Sequence, residues 1–138
     1  MTDVVAINPD RGEVGLTLAG RVFPMLPTFA AANAIESQLG AVSTLVARIM
    51  RGQDLPKWYE LAVIATECIK AAGRDRNEPP LMGVNVQKIG EMLYEEGLDE
   101  ALLNTFGQIL GNMVSGGTNR KKARAAAAAQ TSESPTAN

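Results

Sequence analysis

The first patterned stretch of the chain spans residues 13–18, where apolar Val14, Leu16 and Leu18 alternate with Glu13, Gly15 and Thr17. A period of two is the signature of a strand with one buried face. Ala19-Gly20 supplies a turn, and residues 21–26 form the return strand. A two-residue loop pairs Leu18 with Arg21, Leu16 with Phe23 and Val14 with Met25, which gathers five apolar side chains on one face. A three-residue loop with a bulge at Gly20 is the other register the residues allow. In the two-residue register Pro24 stands opposite Gly15 at a non-hydrogen-bonded pair. Its missing N–H then costs the hairpin nothing and blunts the outer edge of the second strand. The edge of the first strand, residues 13–18, is left open.

Everything after the hairpin follows the helical period. Thr28 is a natural N-cap for a helix over residues 29–39, closed by Gly40. Residues 41–51 place Val42, Leu45, Val46 and Ile49 on one stripe, and Gly52 ends them. Asp54 can cap a third helix running to Ala72, with Pro56 in its first turn and an inward stripe from Trp58 to Ala72. Gly73 is expected to stop it, and "RDRNEPP" to follow as a polar loop. Two further helices are predicted over residues 85–96 and 99–114, the last facing inward with Leu102, Thr105, Phe106, Ile109, Leu110 and Met113. The fold class is therefore mainly α: about five helices preceded by an N-terminal β-hairpin. Residues 1–10 form a lead-in, 11–115 a single domain, and 116–138 a tail without apolar periodicity that is expected to be disordered.

Composition sharpens this picture mostly by exclusion. A chain of 138 residues suits one domain with a real core. Arg120, Lys121, Lys122 and Arg124 supply four of the 13 basic residues, and Glu133 one of the 15 acids. Residues 1–119 therefore carry 9 basic against 14 acidic groups, a net of −5, followed by a short basic tail. That tail, without aromatic residues to stack on bases, makes a nucleic-acid partner a weak alternative. With no histidine the commonest general base and metal ligand is missing. Cys68, the single cysteine, falls on an apolar helical stripe and is expected to be an inert core thiol. Glu91, Glu95, Glu96, Asp99 and Glu100 cluster around Gly97, as a solvated helix end followed by acids favourable to the next helix's dipole would. They lack the spacing of a calcium loop. No glycine-rich phosphate loop is present. The expectation is a non-enzymatic protein with no cofactor and no metal. Without a leader pattern or a membrane-length apolar run, the chain reads as intracellular.

The N-terminal half also resembles a known family. "RGEVGLTLAGRVFPMLPTFAAANAIESQLG" is similar to the opening of phage tail assembly chaperones of the gene-transfer-agent type, a family also catalogued as phage tail tube proteins. The matching features are Arg-Gly-Glu-Val before the first strand, Leu-x-Leu-x-Gly-Arg through the turn, and Pro-Thr-Phe leading into a helix with an Ile-Glu pair. "LVARIMRGQDL" and "CIKAAG" extend the likeness to Gly73. The turn departs from it, with Ala19 where an acidic residue is expected, as do "RDRNEPP" and the basic tail. The resemblance implies a small helical protein of the bacterial cytoplasm. Such a protein coats the tape measure protein and helps recruit tail tube subunits, and is absent from the finished particle. The alternatives are a tail tube or minor tail component retained in the particle, and a nucleic-acid-binding regulator. Partner contacts are expected along the hairpin edge (Glu13, Val14, Leu16, Thr17 and Leu18), where copies of the chain could also associate. The last helix (Phe106, Ile109 and Met113) is the second expected contact region.

Overall fold

The computed structural model describes residues 6–116. It is mainly helical, with one two-stranded antiparallel hairpin and six α-helices among the described residues. The expectations for residues 1–5 and 117–138 lie outside that range.

Strands β1 (Val14–Leu18) and β2 (Arg21–Met25) pair in the two-residue register, with Val14 opposite Met25, Gly15 opposite Pro24 and Leu16 opposite Phe23. Ala19 (φ 53°) and Gly20 (φ 74°) are both left-handed, as a type I′ turn requires. Alanine there costs about 1–2 kcal/mol. Glu96 Oε2 accepts the Ala19 N–H at 2.8 Å and helps hold the turn in place. The apolar face lies on the helices: Leu16, Leu18, Phe23 and Met25 are all buried. Arg21 covers the Phe23 ring with its guanidinium 4.5 Å from the ring centroid.

Helix α1 (Phe29–Leu39) begins where Thr28 Oγ1 accepts the Ala31 N–H at 3.0 Å. Glu36 then reaches forward to accept the Val42 N–H at 2.9 Å, capping α2 (Val42–Arg51) from the preceding helix. The central element is α3 (Trp58–Arg76), buried on nearly every side and packed against α1, α4, α5 and β2. Helix α4 is the single turn Pro79–Met82. Helices α5 (Val86–Glu96) and α6 (Glu100–Val114) are capped by the Asn85 and Asp99 side chains, which accept the Lys88 and Leu102 N–H groups at 2.8 Å. Helix α6 packs on α2 and along β1.

Three sequence expectations are corrected in and around α3. Asp54 does not cap it; the residue is itself left-handed (φ 55°), and the helix starts after Lys57. Glu60 Oε1 instead accepts the Lys57 N–H at 2.7 Å. Gly73 does not end it. The helix continues to Arg76 and closes on left-handed Asn77 (φ 56°). A Cβ at residue 73 would lie 2.7 Å from Leu81 Cβ and 2.9 Å from Met82 N, so glycine is present there for close packing of α4. The extra turn is anchored by ion pairs to the hairpin's start, Arg76–Glu13 at 2.8 Å and Arg11–Asp75 at 3.0 Å. Finally, Pro79 and Pro80 open a helix rather than a loop, occupying first-turn positions where no backbone donor is needed.

Candidate functional site

Two surfaces are built by this packing. The first is a groove of about 360 Å³ between α3 and α5. Ala62 and Gly90 form its floor: a Cβ at Gly90 would come within 3.3 Å of Ala62 Cβ, so two small residues bring the helices together. Trp58, Val86 and Tyr94 wall it, with Trp58 and Tyr94 in edge-to-face contact (centroids 5.5 Å apart, planes at 70°). Tyr59 stands beside them, its hydroxyl 3.4 Å from Gln38 Oε1 on α1. The chain has only six aromatic residues, and three of them meet at this groove. Tyr94 is 67% exposed and Tyr59 58%, so apolar ring surface is left in contact with water. The rim is acidic, with Glu91 and Glu95, and Glu91 is engaged by Gln87 Nε2 at 2.9 Å. Gln87 and Glu91 thus pair along the rim, while apolar and aromatic side chains make up the floor and much of the walls.

The second surface is the free edge of β1. In the observed register Val14, Leu16 and Leu18 spend their N–H and C=O groups on β2, so those of Gly15 and Thr17 point outward. They face a groove of about 240 Å³ whose opposite wall is the α5–α6 junction and the first turns of α6, including Glu96, Asp99, Leu102 and Thr105. Among the described residues no backbone group pairs with them there.

The sequence-derived contact residues divide sharply by depth. The Val14, Leu16, Leu18, Phe106 and Ile109 side chains are core, and Met113 is half-buried against that core. The Glu13 carboxylate is committed internally, accepting from Arg76 Nη2 (2.8 Å), Arg76 Nε (3.2 Å) and the Asn8 N–H (2.9 Å). Only Thr17 among the eight presents an exposed side chain. The edge can therefore meet a partner through its backbone and Thr17. The α6 stripe packs inward, against the rest of the core.

Trp58, Tyr59, Val86, Gly90 and Tyr94 were not recognised as a surface from the sequence. The one available signal is the concentration of scarce aromatics on two helices flanking a mid-helix glycine. Burial pushes the Cys68 thiol far above its ordinary pKa, which keeps it protonated and inert. Among the described residues no group of three or more His, Cys, Asp or Glu side chains is placed to hold a metal ion, and no helix is long and apolar enough to cross a membrane. Comparison with protein-family models, curated proteins and solved structures finds no match to this chain.

Proposed function

We propose that this protein is a non-enzymatic tail assembly chaperone of the bacterial cytoplasm. It holds an apolar helical segment of a tape measure protein in the α3–α5 groove until tail tube subunits arrive. The observation that carries the reading is the groove itself: exposed aromatic walls, a floor where Ala62 and Gly90 hold the two helices close together, and an acidic rim. That combination suits an amphipathic helix bearing apolar anchors at i, i+3 and i+4 and basic residues on its flanks. Trp and Tyr are the residue types most often found to dominate binding energy in such contacts. The resemblance of residues 11–73 to the tail assembly chaperones supplies the biological context.

Co-expression with a phage tape measure protein tests the reading. The tape measure should be soluble with the intact chaperone and insoluble without it. Tyr59→Ala/Tyr94→Ala, which alters two exposed side chains, should leave the chaperone folded and the tape measure insoluble. A tape measure that stays insoluble with the intact protein, while this protein co-purifies with finished tails, would identify a retained tail component instead.

A further inference from the structure

The groove between α3 and α5 has two unlike walls. Trp58 meets Tyr94 and Ala62 meets Gly90, so the two helices run antiparallel and the groove follows both of them. Along α5 it extends from Val86 to Tyr94, about 12 Å at roughly 1.5 Å per residue, the length of two turns of a bound helix. The α3 wall is aromatic and neutral, with Trp58 and Tyr59 and, behind the Tyr59 hydroxyl, Gln38 of α1. Both charges among the described residues lining the groove, Glu91 and Glu95, stand on α5 and are exposed. Four residues apart, they lie one above the other on one face of that helix, about 6 Å apart along its axis.

We propose that this asymmetry sets the direction in which the groove takes an amphipathic helix. Glu91 and Glu95 pair with two cations, four residues apart, on one flank of the bound segment. The inference rests on the helix-binding reading above and narrows it to segments with a single basic flank. A helix seated with its apolar seam on Ala62 and Gly90 turns one flank to α3 and the other to α5. Reversing the helix end for end exchanges those flanks. A segment with cations on one flank therefore meets the carboxylates in one direction, and in the other sets its cations against the neutral aromatic wall. Burial of the seam is non-directional, so the choice falls to the charges. Complementary charge contributes more to specificity than to raw affinity, which is the role the two glutamates fill.

The probe is a synthetic tryptophan-free peptide of about fifteen residues, the length at which isolated helices begin to form in water. It carries leucine at i, i+3, i+4 and i+7 and two lysines four residues apart on one flank. Lysine is chosen over arginine because a guanidinium also stacks on aromatic rings. A second peptide has the lysines on the opposite flank, and a third has glutamine in their place. Each bears a nitroxide at its N-terminus. Paramagnetic broadening is read by NMR at the Trp58 indole N–H and the Val86 amide, which mark the two ends of the groove. With the intact protein each lysine peptide should broaden one end several-fold more than the other, and the two should choose opposite ends. Glu91→Gln/Glu95→Gln, at two exposed positions, should abolish the preference and weaken both lysine peptides about fivefold at low salt. The glutamine peptide should bind both proteins equally. The same end broadened by both lysine peptides, or a preference that survives in the glutamine variant, overturns the proposal while leaving helix binding in place. Saturable binding by none of the three peptides, read from Trp58 fluorescence, overturns helix binding itself and the direction with it.

Discussion

Replacing Gly73 with alanine pits two effects of known sign against each other. In a helix interior the change gains about 0.8–1 kcal/mol of propensity. At this position the new Cβ meets Leu81 Cβ at 2.7 Å, Met82 N at 2.9 Å and Leu81 C at 3.1 Å. Two of those three atoms are backbone, so relief requires α4 to move as a unit. Overpacking of this kind costs about 1–3 kcal/mol. Movement of α4 also lifts the buried Leu81 from its seat, and full burial of a leucine contributes about 1.5–3 kcal/mol. The clash should win, leaving a net loss of about 1–2 kcal/mol and a Tm lower by about 4–10 °C. Gly111→Ala is the matched control: it lies within α6 and its Cβ would meet nothing within 4 Å. It should raise stability by about 0.5–1 kcal/mol. Urea unfolding followed by circular dichroism measures both. If Gly73→Ala were as stable as Gly111→Ala, the assignment of Gly73 as a packing glycine would be wrong.

Two further outcomes follow from polar groups in and beside α3. Thr66 is buried and its hydroxyl has no hydrogen-bond partner, so the isosteric Thr66→Val should stabilise the protein by about 1 kcal/mol in the same urea assay. Destabilisation would mean that the hydroxyl is satisfied. Glu60 accepts from Arg48 at 2.9 and 3.1 Å, and that contact holds its carboxyl below the ordinary value of 4.5. A depressed folded-state pKa gives stability that is complete above the unfolded value and is lost as pH falls through the folded one. The gap between wild type and Glu60→Gln should therefore be constant at neutral pH and narrow below pH 4.5. A gap that widens on acidification would contradict the pairing.

How much of this was legible in the sequence depends on whether the deciding contacts are local. The hairpin and its buried face were, because alternation from Val14 to Leu18 and the cost of placing Pro24 elsewhere are both short-range facts, but two registers stayed open. The choice between the two loops is settled by left-handed Ala19 and Gly20, held with help from Glu96, 77 residues away. The start of α1 was legible through Thr28, whose side chain bonds within its own first turn; the starts of α5 and α6 were placed to within a residue, while the caps supplied by Asn85 and Asp99 emerge from the structure. The end of α3 was not. Glycine followed by polar residues is a sound local stop signal, but here a short helix docked on Gly73 and ion pairs to the hairpin's start override it.

The groove between α3 and α5 was hidden for a related reason. Trp58 belongs to the inward stripe of its helix by period, and Tyr94 lies on another helix 36 residues later. They meet only because Ala62 and Gly90 let the helices approach, a fact of tertiary packing. The sequence did locate the open strand edge. It could not show that the strand's apolar side chains and Glu13 are wholly taken up inside, leaving the backbone of Gly15 and Thr17 as the reactive part.

Trp58 is the only tryptophan in the chain and walls the proposed binding groove, so it reports directly on occupancy. The deciding measurement is its fluorescence during titration with a tryptophan-free apolar helical segment of the tape measure protein. The account predicts a saturable blue shift as water leaves the groove, weakened at least tenfold by Tyr59→Ala/Tyr94→Ala. A complex seen by light scattering with no change at Trp58, or no complex at all, would contradict it.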